Sequence, residues 1–261
     1  MKQWFLITAF FLISFTMQSQ VLIALLLGDK LNTGKIEFGL DGGVNFAKIN
    51  NMDSNNWHRK WNLGFYFDFK MKDQWYLNTG VLVKADYGLD KLTETDLDFL
   101  DATQYDADGD YSQVISYFVV PALAKYKFDN HMYVEMGPQF SLMHKAYIEF
   151  NSDADGISVN AQEDNKDMIN RIDMGLAAGA GYRLLKGLGW TVGVRYYYGL
   201  VDVYKEKSGT KNQALYLRLN VPIGLSEDKK AQAKEMKAER DQKKAAKKEA
   251  KKAAKDDKKS S

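Results

Sequence analysis

Apolar and small or charged positions alternate strictly along residues 172–184. Ile172, Met174, Leu176, Ala178, Ala180, Tyr182 and Leu184 fall on one parity; Asp173, Gly175, Ala177, Gly179, Gly181 and Arg183 fall on the other. A short link, Lys186, Gly187, Leu188 and Gly189, follows. The alternation then resumes, with Trp190, Val192, Val194, Tyr196 and Tyr198 opposite Thr191, Gly193, Arg195 and Tyr197. A period of two marks strands rather than helices, and a short Gly-containing link between two such runs predicts a hairpin. Glycines on the charged parity suit a narrow interior where backbones and long side chains crowd together.

The same pattern predicts eight strands in all. One covers residues 36–46, with Ile36, Phe38, Leu40, Val44 and Phe46 opposite Glu37, Gly39, Asp41, Gly43 and Asn45. The next begins at Trp61, and others run near residues 75–86, 114–128 and 132–150. The hairpin above supplies the sixth and seventh, and residues 213–223 the eighth. Links after strands 2, 4 and 6 are short, at residues 72–74, 129–131 and 186–189. Those after strands 1, 3, 5 and 7 are long, near residues 49–60, 87–112, 151–167 and 199–212. Short turns alternating with long loops are the pattern of an outer-membrane barrel with both termini in the periplasm. Strands of about ten residues suffice to cross the apolar layer when tilted. Trp61, Trp75, Tyr182, Trp190, Tyr196 and Tyr198 are the expected interfacial aromatics. The fold class is therefore all-β: an eight-stranded antiparallel transmembrane β-barrel, closed because lipid forbids open sheet edges.

If the apolar parity faces lipid, the lumen receives Glu37, Asp41, Asp68, Glu135 and Asp173 with Lys84, Lys125, Arg183, Arg195 and Arg218. Five acids against five bases predict a paired, hydrogen-bonded plug, because side chains fill an eight-stranded bore and an unpaired buried charge is costly. An ion path or proton relay is the functional alternative for the same residues.

Charge along the chain changes the picture outside the barrel. Residues 226–261 hold 14 basic and 8 acidic residues, a net of +6, leaving 22 against 26 for residues 1–225, a net of −4. Lys2, the apolar run at residues 4–17 and Gln18-Ser19-Gln20 have the layout of a signal peptide. The domain plan is thus residues 1–19 signal peptide, 20–34 lead segment, 35–225 barrel and 226–261 basic periplasmic tail. The Lys/Ala-rich tail is either helical or disordered, with no heptad for a coiled coil. Its charge suits peptidoglycan or an acidic periplasmic protein; export argues against nucleic acid, and the barrel's own partner is outer-membrane lipid. There is no cysteine, so neither a disulfide nor a thiolate site is available.

The two longest loops carry 13 acids against 2 bases. Asp106, Asp108 and Asp110, and Asp153 with Asp155, are weak Ca²⁺ candidates: in the first run Tyr111 and Tyr117 stand where a calcium loop needs Gly and a bidentate Glu, and the second run lacks the fifth-position acid. Thr93 and Asp96 are spaced as a capping pair and predict a short helix near residues 93–100. His58, His131 and His144 are expected in an outer loop, a turn and the upper part of strand 5, too dispersed for a metal. No nucleophile and base converge, so neither an enzyme nor a cofactor is expected.

Gly28-Asp29-Lys30-Leu31-Asn32, Lys35-Ile36-Glu37-Phe38-Gly39, Val120-Pro121-Ala122-Leu123-Ala124-Lys125-Tyr126, Gly179-Ala180-Gly181-Tyr182 and residues 217–224 carry a likeness. Through them the chain resembles the PorT-type outer-membrane β-barrel family of Bacteroidota, related to OmpX and the OmpA membrane domain. The resemblance covers about residues 20–225 and implies outer-membrane location, with an accessory part in protein secretion or gliding for some members. The chain departs from many barrels in continuing into a basic tail rather than stopping on a terminal aromatic. The competing reading is a soluble lipocalin-like barrel with the apolar parity inside, binding a small apolar ligand.

Overall fold

The computed structural model describes residues 35–152, 159–184 and 189–223. The expected signal peptide, lead segment and basic tail, most of the 186–189 link, and Asp153 with Asp155 lie outside the described residues. Nine strand segments are present: β1 Ile36–Ile49, β2 Asn56–Lys72, β3 Trp75–Asp90, β4 Asp110–Lys127, β5 Met132–Ser152, β6 Val159–Asp164, β7 Ile172–Arg183, β8 Thr191–Asp202 and β9 Lys211–Pro222. Among the described residues one α-helix, α1 Glu94–Phe99, lies between β3 and β4, and a 3-10 turn, Lys166–Met168, follows β6.

Eight of the strands close a ring. Each pairs antiparallel with its neighbours in the order β1, β2, β3, β4, β5, β7, β8, β9, and β9 returns to β1 with Val44 opposite Leu217. The wall therefore has no open sheet edge, the condition for crossing lipid. The end carrying the links after β2, β4 and β7 is called the turn end, and the opposite one the loop end.

The ninth segment, β6, stands where a loop was expected. The β5 strand is 21 residues long, while β7 pairs with it only as far as Leu142 opposite Ile172. Beyond the wall β5 would present an unpaired edge, and β6 supplies partners from Tyr147 to Ser152. The long connections are also shorter than expected: β2 begins at Asn56, β3 runs on to Asp90, which pairs with Ser112, and β4 starts at Asp110.

The alternation fixes the faces. Leu176, Met174, Val194, Tyr196, Leu217 and Leu219 are exposed on the outer wall, while Asp173, Arg195 and Arg218 are buried within. Such a band of exposed apolar side chains has no place on a water-soluble barrel. At the loop end the interior is mainly apolar instead: Leu89, Leu97, Leu100, Ile115, Ile148 and Ile169 form one buried cluster with Tyr204, whose hydroxyl donates to the buried Gln113 at 3.3 Å. The α1 helix closes this cluster. Thr93 caps it with the expected capping box to Asp96, and Phe99 meets Tyr204 edge-on at 5.3 Å. The buried Asp96 carboxylate also accepts from the backbone N–H of Asp53 and Ser54, each at 2.8 Å, which ties the first long connection to the second.

Candidate functional site

The interior of the turn-end half is one ionic assembly. Glu135 on β5 accepts from Arg195 Nε on β8 and from Arg218 Nη1 on β9, both at 2.8 Å, and its other oxygen lies 3.8 Å from Lys125. Arg218 also pairs with Asp41 on β1. Asp68 on β2 takes Lys125 at 3.0 Å and Lys127 at 2.7 Å, with Asn78 donating at 2.7 Å. Nearer the mouth Arg183 pairs with Glu37, which also accepts from Tyr66 at 3.1 Å. Two carboxylates bridging several cations across five strands lock the wall's register, because each ion buried alone would cost several kcal/mol, about 3–5 when one partner is removed.

The membership differs from expectation in three places. Lys84 is exposed on the outer surface, not in the lumen. A bulge between Leu82 and Ala85 turns Val83 and Lys84 outward together, and the parity resumes shifted by one. Lys127 takes the place of the missing base on Asp68; it shares the parity of Lys125 two residues earlier, so the sequence carried that signal. Asp173 is buried but stands apart from every ion pair among the described residues, its carboxylate accepting from Asn212 at 3.0 Å.

Asp173 belongs to a middle layer that sequence reasoning left without a role. Tyr87, Tyr117, Tyr197 and Tyr216 fill the bore above the ions, Tyr87 and Tyr216 joined hydroxyl to hydroxyl, and Gln139 donates to Tyr87 at 3.0 Å. Tyr197 and Tyr216 already lay on the charged parity, which was the available signal. The lumen glycines make room for such rings: a Cβ on Gly181 would come within 2.4 Å, and one on Gly193 within 2.2 Å, of the Tyr133 side chain.

Trp61, Trp75, Tyr182, Trp190, Tyr196 and Tyr198 are all exposed on the outer wall. Trp75 opens β3, and Tyr182 and Trp190 flank the link between β7 and β8, all at the turn end. Tyr196 is a correction: β8 runs to Asp202, so this ring stands mid-strand rather than at the far end.

His58, expected in a loop, is buried in β2 with Nδ1 2.6 Å from Asp90. Burial pushes the Asp90 carboxyl up, but the His58 hydrogen bond and charge outweigh it and hold the group below the usual carboxylate range. His144 stacks on Phe118 at the surface, and His131 sits in the turn before β5. Asp106 and Asp108 lie in the connection before β4 while Asp110 begins it, and no three acids or histidines among the described residues gather as a metal site. Chemically, the arrangement holds its turn-end interior charges in mutual pairs.

A family model described as outer membrane protein beta-barrel domain matches residues 18–205. No curated protein matches the chain. Solved structures with a related shape include Ail, the attachment invasion locus protein of Yersinia pestis, at 12% identity and TM-score 0.37, covering 72% of this chain and 99% of that one. Neisserial surface protein A is 14% identical with TM-score 0.36, covering 70% and 96%. OprG from Pseudomonas aeruginosa is 12% identical with TM-score 0.34, covering 72% and 93%. Likenesses this distant carry no argument about function; the family rests on the model match, which spans most of the chain, together with an apolar outer wall around a polar bore. The apolar wall also disfavours the lipocalin-like alternative. The chain belongs to the outer membrane protein beta-barrel domain family, and its place is the outer membrane.

Proposed function

We propose that this protein is a non-enzymatic, closed barrel that acts through its two end surfaces rather than as a pore, with both termini in the periplasm. The observation that carries the reading is the stacking of three filled layers in one bore: paired ions, then tyrosines, then an apolar core under α1. An eight-stranded bore is just filled by side chains, and here each layer blocks the next. The alternation of short and long links supports the orientation, with the loop end outside the cell.

The test is planar-bilayer recording on the full chain refolded from detergent. The expected trace is a flat baseline in concentrated KCl; steady unitary conductance would overturn the closed-barrel reading. Protease added to intact cells should cut at the loop end, near Lys91, and spare an epitope on the tail. An accessory part in protein secretion rests on the PorT-type resemblance alone, and a deletion strain that secretes its full complement of proteins would remove it. Contact of the tail with peptidoglycan or an acidic periplasmic protein rests on its charge of +6. A chain truncated after residue 225 that pulls down as much peptidoglycan as the full chain would end that proposal.

A further inference from the structure

Two features of opposite character meet at Met132 on the turn end. The first is a cavity of about 70 Å³ inside the mouth, lined by Lys125, Lys127, Arg183 and Asn220 along with Glu37 and Asp68. The second is an apolar groove of about 670 Å³ on the outer wall, with Ala180, Val192, Leu217 and Leu219 on its sides and Gly181 and Gly193 lowering its floor. Met132 lines both, so the polar cavity and the apolar groove adjoin over the rim between β5 and β7.

The cavity is donor-rich. Asn220 is only 2% exposed, and its Nδ2 has no acceptor among the described residues; Arg183 Nε likewise has none, although the same guanidinium pairs with Glu37 through Nη2. Both orphaned side-chain atoms in the lining are donors, and three cations face two acids there. A buried donor without a partner is costly, so the ligand that fits supplies acceptor oxygens and negative charge. The space amounts to roughly that of a few waters, or of one small oxyanion. Exposed Phe128 and Met132 also line it, so the cavity borders the greasy rim of the barrel.

We propose that the turn end holds one phospholipid of the surrounding leaflet. Its phosphate sits in the mouth cavity and accepts from Asn220 Nδ2 and Arg183 Nε, and one acyl chain lies over Met132 in the groove beside Ala180. A free anion would use the cavity alone, and a neutral lipid the groove alone; only a phosphate joined to an acyl chain uses both. The proposal requires a membrane-spanning barrel and is independent of whether the bore conducts.

The test is native mass spectrometry of the full chain, delipidated and refolded in detergent, then given phosphatidylglycerol, diacylglycerol or inorganic phosphate. The expected result is retention of one phosphatidylglycerol at activation energies that strip diacylglycerol. Asn220→Asp, which sets a like charge against the phosphate, should lower that retention about tenfold. Ala180→Trp, which fills the groove from the outer wall, should lower it as well. Heat-dependent gel mobility checks that both variants are folded, and if Asn220→Asp is not, Arg183→Lys replaces it. Equal retention of phosphatidylglycerol and diacylglycerol, or unchanged retention in the folded variants, overturns the proposal. Inorganic phosphate that binds as tightly as the lipid and is indifferent to Ala180→Trp would also overturn it, leaving an adventitious anion only.

Discussion

The two halves of the bore solve the same problem with opposite chemistry. At the turn end, Glu135, Asp41 and Asp68 are shared among Arg195, Arg218, Lys125 and Lys127, and few apolar side chains point inward. At the loop end, Leu89, Leu97, Ile115 and Ile169 pack under α1 as a water-soluble protein would pack them. The wall explains the difference. Where lipid takes the apolar parity, the inward parity is left for polar groups; where β3, β4 and β5 extend beyond the band, an apolar interior becomes the favourable one. Ionic and apolar plugs also fail differently. Removing one ion strands its partner in low dielectric, whereas removing a methyl group leaves a small void.

Glu135→Leu should therefore be the most damaging single change, because it strips one carboxylate from both Arg195 and Arg218. A loss of about 3–5 kcal/mol is expected in urea unfolding followed by gel mobility, and an unchanged midpoint would show that the ions are not paired as described. Leu97→Ala, in the apolar half, should cost about 2–4 kcal/mol and act locally, speeding proteolysis of the loop end while the heat-modifiable band persists. Asp96→Asn weakens the acceptor that ties residues 53 and 54 to α1; about 1–2 kcal/mol is expected, read as faster amide exchange in both connections together.

Acid provides a gentler probe of the loop end. Because the Asp90 carboxyl lies below its ordinary range in the folded protein, its stabilisation is complete above the unfolded value of about 4 and fades as pH falls through the folded one. The loop end should become protease-sensitive below roughly pH 4, and Asp90→Asn should flatten that dependence. The smallest effect is expected from Lys84→Ala, within about 0.5 kcal/mol of the parent. A loss of several kcal/mol there would return Lys84 to the lumen and contradict the bulge.

The alternation along residues 172–198 was enough to determine two strands and their faces, because a strand's period is two, and the count of such runs along the whole chain gave the ring size, since lipid leaves one solution to the edges. Glu37, Asp41, Asp68, Glu135, Arg195 and Arg218 could be placed inside from parity alone, and the cap at Thr93 from its spacing to Asp96. Parity fails at any extra residue, which is why Lys84 was assigned to the wrong side: only the ladder between β3 and β4 shows two consecutive side chains turning outward. Pair identity was equally out of reach, since Glu135 finds Arg195 and Arg218 across strands 60 and 83 residues away. The return of β6 onto β5 and the apolar core beneath α1 depend on how far each strand overshoots its neighbour, and that is set by the tilt and stagger of the closed ring.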